Sequence, residues 1–317
     1  MPKISLSPVD VIQPPGDSAI LMVLRLLDTD SSTDQVKDVC GSLAAFVRSL
    51  KKREPEGHIN AIMGFGAQAW GKLFPEQSYP KELKPFKEIK GDKHTAPSTP
   101  GDLYFHIRAR RMDLCIELAS EITTLLEGAV ESIDETHCFR YFDGRTIIGF
   151  VDGTENPEYE DAYYFSTIGD EDETFQGGSY AFIQKYIHNM KGWNNISTEE
   201  QEKVIGRKKF SDIELSDEEK PANAHNAVTN ISDENGEELK IMRANMPFAN
   251  VSKGEYGTYF ISYASTFTTT ERMLRNMFIG EPVGNTDRLL DFSTAVTGTL
   301  FFIPSPDLLS ELGGGDD

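Results

Sequence analysis

Four times along this chain an apolar run of nine or ten residues gives way to a segment with helical spacing, and this alternation limits the folds open to it. The first run is "AILMVLRLL", residues 19 to 27. It is followed by "DQVKDVCGSLAAFVRSL", where Val36, Val39, Cys40, Leu43, Phe46, Val47 and Leu50 recur at three- and four-residue steps and predict an amphipathic helix. The second is "DLYFHIRAR" (102 to 110), followed by "DLCIELASEITTLLEGAV"; a further strand, "TIIGFV", completes the first half. In the second half "SYAFIQKYIH" (179 to 188) precedes "STEEQEKVIGRKK", where Ser197 and Glu200 have capping-box spacing. "YGTYFISYAS" (256 to 265) precedes "TTTERMLRNMFIG", with Thr268 and Glu271 as a second box and Met273, Leu274, Met277 and Phe278 as an apolar face. Two such pairs per half predict an α+β protein of two similar domains, each a sheet covered by helices on one side. The expected division is 1–145 and 146–312, with the closing "GGGDD" (313–317) disordered. No sequence identity between the halves is visible.

Composition narrows the partners. A formal net charge of −20 over 317 residues argues against nucleic acid and anionic membrane surfaces, both of which select basic proteins. No apolar stretch approaches the ~20 residues of a membrane helix, and the first residues, "MPKISLSPVDVIQPPGD", lack a signal peptide's apolar core. Three widely spaced cysteines, Cys40, Cys115 and Cys138, form neither a disulfide framework nor a zinc motif. The expected setting is the reduced cytoplasm.

The stretch "RTIIGFVDGTENP" (145 to 157) poses the functional question. An apolar run stops at Asp152-Gly153, and Asn156-Pro157 closes the segment with another turn dipeptide. Phosphate-loop, dinucleotide, nucleophile-elbow and HExxH motifs are all absent. What remains is a set of isolated polar residues: Asp152, His225 in "KPANAHNAV", Arg243 and Asn245 in "IMRANMPFAN", and Asp287 in "GNTDRLLDFS". Each has an ordinary explanation, Asp152 as a turn cap and Asp287 as a helix cap among them.

Together they fit one cofactor. A single histidine makes a poor bare-metal site, which needs three or four protein ligands, but it suffices for a haem, whose porphyrin supplies four donors. Asp287 is a candidate to fix that histidine's second nitrogen. Splitting a peroxide needs a proton carrier and a fixed positive charge, for which Asp152 and Arg243 are candidates.

"GFVDGTENP" contains the GxxDG signature of dye-decolourising peroxidases, and "EEQEKVIGRKK", "KPANAH", "RANMPF", "GTYFISYA" and "DRLLDFS" follow in that family's order. The chain resembles the compact bacterial branch of the family, class B or P. The resemblance implies two ferredoxin-like domains of the dimeric α/β-barrel-like superfamily, with one haem b per chain held mainly by the second. It implies His225 as the iron's axial ligand with Asp287 as its partner, and Asp152, Arg243 and Asn245 on the distal side. Arg207 would meet a haem propionate, Thr154 and Glu155 would pass the haem edge, and Phe260 would pack over the distal face. The implied reaction takes hydrogen peroxide to a ferryl porphyrin radical that dyes and other one-electron donors return to rest, in a homo-oligomer. The alternatives are a haem-handling or porphyrin-processing protein with little turnover and a haem-free binding scaffold. Trp193 and the tyrosines are candidate surface relays for electrons, and His106, His137 and His188 are rival proton carriers to Asp152. An Asp base near its ordinary pKa would keep peroxide activation running in mild acid.

Overall fold

The computed structural model describes residues 9–14 and 16–314 of the chain. Its centre is one antiparallel sheet of ten strands. The first half contributes β1 (Ser18–Leu26), β2 (Asn60–Gly66), β3 (Leu103–Ala109) and β4 (Val130–Phe139). The second contributes β5 (Ser179–His188), β6 (Met242–Arg243), β7 (Met246–Asn250), β8 (Glu255–Ala264), β9 (Ser293–Ala295) and β10 (Thr299–Ile303). Helices α1 (Ser32–Arg53), α2 (Ala67–Leu73) and α3 (Met112–Leu125) belong to the first half. The second half holds α4 (Tyr159–Ser166), α5 (Met190–Asn195), α6 (Thr198–Ile205), α7 (His225–Thr229), α8 (Phe267–Phe278) and α9 (Pro306–Leu312).

The strand order is β6-β8-β5-β10-β2-β3-β1-β4, with β7 also on β8 and β9 also on β5. It repeats one topology. A β-α-β-β-α-β run whose fourth strand lies beside the first, then the third, then the second is the ferredoxin-like order. It occurs once as β4-β1-β3-β2 and again as β10-β5-β8 with β6 and β7. The expected α+β architecture of two ferredoxin-like units is therefore the observed one, although the halves share no visible sequence identity.

The strand sequences follow from where their faces go. Along β1, Ile20, Met22 and Leu24 join the core beneath α1 and α3, while Ala19, Leu21 and Val23 join a second core on the other face. A strand buried on both faces reads as an unbroken apolar run rather than an alternating one. The second core forms because the sheet curls until β7 and β4, from opposite ends, approach each other. They are not hydrogen-bonded, so no barrel closes. Lys185 Nζ on β5 reaches Asp134 Oδ1 on β4 at 3.0 Å across this interior.

Several expectations need correction. "TIIGFV" is not a strand but a turn-rich loop, closed by Thr146 N donating to the Phe150 carbonyl at 2.8 Å. Ile148 and Phe150 are apolar because they bury against Trp193, Val204 and Ile205 in a satellite core. The strand β4 escaped notice because its sequence, "VESIDETHCF", is largely polar and half-exposed. The α6 box is half made: Ser197 Oγ accepts from Glu200 N at 3.3 Å, but the Glu200 carboxylate pairs with Arg288. At α8 the box is replaced. Glu82, far away in sequence, accepts from Thr268 N at 2.7 Å, while Glu271 turns to Lys84 Nζ at 2.9 Å. Of the tail, Gly313 and Gly314 form the turn that ends α9, with Gly313 against Gly41 of α1. Residues 315–317 lie outside the described residues.

The two units join at β10 and β2, where Phe301 pairs with Gly66 and Phe302 with Phe65. A Cβ on Gly66 would stand 2.1 Å from the Gly101 carbonyl oxygen, a backbone atom with no freedom to swing aside. Gly66→Ala is therefore expected to cost at least about 2–3 kcal/mol, the upper range for overpacking, measured as a lower midpoint of chemical denaturation. An unchanged midpoint would show that the backbone around Gly101 has slack.

Candidate active site

Between the helix-side face of β5 and β8 and helix α8 the packing opens into a cavity of ≈ 980 Å³, its mouth included. Tyr186 and His188 of β5 and Thr258 and Phe260 of β8 line the sheet side. Met273 and Met277 of α8 line the other, and the loop residues Ile148 and Phe150 close it over. These walls are mostly apolar. Period-2 alternation puts Phe260 here, since its neighbours Tyr259 and Ile261 point into the interior core.

His225, the first residue of α7, presents its ring to this cavity. Its Nδ1 bonds Asp287 Oδ2 at 2.6 Å. Asp287 is completely buried and its other oxygen accepts from Leu289 N at 2.8 Å. Both sequence readings of Asp287 hold at once, as the cap of the short 3₁₀ turn Arg288–Asp291 and as the partner of the histidine. The backbone keeps the two registered. Arg288 N donates to the Asn223 carbonyl at 3.2 Å, and Asn285 Nδ2 donates to the Ala222 carbonyl at 3.1 Å. With Nδ1 engaged, Nε2 is the nitrogen left for a ligand.

Asp152, Arg243 and Asn245 also line the cavity. Asn245 is bonded at both ends: Oδ1 accepts from Ile261 N of β8 at 3.1 Å, and Nδ2 donates to Asp152 Oδ1 at 3.3 Å. Burial pushes the Asp152 pKa above the usual carboxylate range, offset in part by Asn245 and then Arg243. The expectation of an ordinary Asp is corrected accordingly: the residue faces the cavity rather than bulk water. Burial likewise pushes the Arg243 pKa down, against the pull of Asp152, Glu155 and Glu238. Arginine stays protonated even so, and among the described residues its guanidinium makes no hydrogen bond or ion pair. It is a positive charge held ready beside an apolar cavity.

The remaining expected residues lie away from these walls. Thr154 is exposed. Arg207 is bound to Glu155 and, through Nε, to Asp212 Oδ1 at 3.1 Å. Glu155 borders a smaller adjoining cavity that shares Thr229, Ile241, Arg243 and Met273 with the main one. Trp193 is no surface relay. It is 1 % exposed and donates from Nε1 to the Ile148 carbonyl at 2.9 Å, holding the loop that closes the cavity. The rival histidines are also engaged elsewhere. His106 is buried in the interior core against Tyr263, and His137 is exposed beside Glu135. His188 does line the cavity, but both its nitrogens are taken by Ser293 and Thr258 and burial pushes its pKa down to about 4. A residue that motif reading passed over is Asn156, which bonds the Arg243 backbone twice; its only sequence signal was its place beside a proline.

Residues 10–140 match the family description Dyp-type peroxidase, N-terminal, and residues 143–308 match Dyp-type peroxidase, C-terminal. The chain is 52% identical over 304 residues to a dye-decolorizing peroxidase of Rhodococcus erythropolis, covering 96% of this chain and 88% of that protein. Identity to the Mycobacterium tuberculosis dye-decolorizing peroxidase is 51%, with 96% and 90% covered. Among solved structures, a dye-decolorizing peroxidase from Bacteroides thetaiotaomicron superposes with a TM-score of 0.95 at 63% identity, over 98% of this chain and 99% of that one. A variant of Rhodococcus jostii DypB in complex with heme gives 0.94 at 49% identity, over 97% and 99%. The matches span both ferredoxin-like units and the whole cavity, and the chain belongs to the Dyp-type peroxidase family.

Proposed function

We propose that this chain holds one haem b in the cavity, with His225 Nε2 as the axial ligand, and uses hydrogen peroxide to oxidise dyes and other one-electron donors. The observation that carries the reading is the His225–Asp287 pair at the wall of a large apolar cavity. Among the described residues no group of three His, Cys, Asp or Glu is placed to hold a bare metal ion. A cofactor that brings four donors of its own fits this donor set. The three cysteines are buried free thiols, in keeping with a reduced cytoplasmic setting.

Bound there, the haem supplies an iron that takes up peroxide and passes the oxidising equivalents to donors. The protein's part is to orient, to hold charge and to move one proton. Asp287 accepts from His225 Nδ1, which fixes the tautomer and makes Nε2 a stronger donor. Asp152 Oδ1 is occupied by Asn245, so Oδ2 is the atom to take a proton from one peroxide oxygen and return it to the other. Arg243 holds positive charge where the departing oxygen becomes negative. Asn245, tied to β8, sets the angle of the carboxylate. Arg207, which stands off these walls paired with Glu155, would meet a propionate with the face it now turns to that carboxylate.

Titration of the apoprotein with haemin, followed by a peroxide assay, tests this reading. A stoichiometric Soret band with peroxide-dependent donor oxidation is expected. A haem spectrum without turnover would leave a haem-handling protein, and no spectrum a haem-free scaffold. His225→Ala should bind haem weakly with a diminished Soret band. A normal histidine-type spectrum in that variant would remove His225 from the iron.

Stopped-flow mixing of ferric variants with peroxide ranks the other residues. Arg243→Leu should slow the reaction by ~10²–10³-fold, the cost of one lost electrostatic donor. Asp152→Ala should slow it no more than that, because a water or propionate partly replaces a carboxylate. A near-dead Asp152→Ala beside an almost normal Arg243→Leu would reverse the assignment.

The pH profile carries a sign. Asp152 must be ionised to take the proton, and its pKa is raised by burial. The rate therefore falls as pH drops through a value above the usual carboxylate range. Asn245→Ala removes the largest influence opposing that shift, so the acid limb should move to still higher pH. A limb that stays in place or moves down would exclude Asp152 as the titrating group.

A further inference from the structure

Arg243 lies in β6, a strand of two residues at the end of the sheet's hydrogen-bonded order. It sits opposite Ser262 of β8. In an antiparallel pair each residue turns its N–H and C=O to the same side, alternately toward the partner strand and away from it. The next residue, Ala244, donates inward to the Ile261 carbonyl at 3.0 Å, so Arg243 turns its two backbone groups outward, where no strand follows.

The side chain of Asn156 fills that vacancy. Its Nδ2 donates to the Arg243 carbonyl at 2.8 Å, and its Oδ1 accepts from Arg243 N at 2.9 Å. An amide has one donor face and one acceptor face side by side, so it matches a strand residue's edge as another strand would. Asn156 is itself held, its N–H donating to the Gly153 carbonyl at 3.1 Å in the turn that follows Asp152. Gly153 has φ 79°, and a Cβ there would press on Asn156 Nδ2 at 3.3 Å. Asp152 and Arg243 are 91 residues apart, yet their segments are tied twice, by Asn156 to Arg243 and by Asn245 to Asp152.

We propose that Asn156 is a positioning residue for the peroxide reaction: its amide stands in for a missing strand and fixes Arg243 relative to Asp152. This rests on the role given to Arg243 above. The clamp acts on the backbone from which the guanidinium projects, an arginine with no side-chain partner among the described residues to hold it otherwise. Removing it leaves charge and cavity intact and loosens only the placement.

Fluoride binding to the ferric haem-loaded protein, followed by absorbance, reads that placement without turnover, because a bound fluoride accepts from a nearby cationic donor. Arg243→Leu should weaken fluoride binding. Asn156→Ala should weaken it by roughly three- to tenfold, the worth of about one hydrogen bond, and should slow the peroxide reaction similarly with an unchanged KM for the donor. In the Arg243→Leu background Asn156→Ala should add no further loss, since the two act through one group. Asn156→Asp keeps the shape but turns a carboxylate oxygen toward the Arg243 carbonyl, and gives the same test should the alanine variant fail to fold. Fluoride affinity within twofold of the parent in a folded Asn156 variant, or a loss that adds fully to that of Arg243→Leu, would overturn the proposal. An Arg243→Leu variant that binds fluoride like the parent would instead remove the role of Arg243 on which the clamp's function depends.

Discussion

The site depends on one hydrogen bond, His225 Nδ1 to Asp287 Oδ2 at 2.6 Å, made by a carboxylate with no exposure to solvent. An isolated buried charge is costly, and such groups persist where several donors converge on them. Asp287 has the imidazole on one oxygen and the Leu289 N–H on the other. The long polar segment before His225 is ordered up to this point: the bridge between Arg207 and Glu214 and the contacts of Ala222 and Asn223 with Asn285 and Arg288 bring the histidine to its partner. Two stretches 62 residues apart are thus brought within hydrogen-bonding distance.

The fold supports this by leaving room in one unit that the other fills. In the first unit α1 and α3 pack directly on the sheet, and Ile20, Met22 and Leu24 of β1 and Leu103, Phe105 and Ile107 of β3 are all core. In the second, α8 stands over the same kind of face, but Thr258, Phe260, Met273 and Met277 border a cavity instead of meeting. A repeated topology has been used once for packing and once for binding. The seam between β10 and β2 makes the two units one sheet, so the wall of the cavity is braced by the first unit's core.

The sequence was most legible where a residue's chemistry and its local spacing agree. The strands β1, β3, β5 and β8 and the helices α1 and α3 lie within a few residues of their expected positions, because those strands are buried on both faces and their apolar runs are unbroken. His225, Asp287, Asp152 and Arg243 each answer a chemical requirement and Asn245 comes with the family resemblance; four of the five line one cavity and Asp287 stands directly behind His225. What failed was long-range in origin. The cap of α8 comes from Glu82, nearly two hundred residues away, and no local pattern announces it. The apolar "TIIGFV" follows a satellite core set by Trp193 rather than a sheet. The raised pKa of Asp152 reflects burial that only the folded chain creates, and Asn156 looked like a turn former because its second role is with a strand far along the chain.

The central claim is that a buried carboxylate controls the nitrogen offered to the iron. The iron–histidine stretching band of the ferrous haem-loaded protein, recorded by resonance Raman scattering, reports the strength of that bond directly. A carboxylate partner strengthens it by making the imidazole more basic, and a neutral amide does so less. Asp287→Asn, with haem still bound, should therefore shift the band to lower frequency than in the parent protein. A band at the same frequency in both would contradict the account.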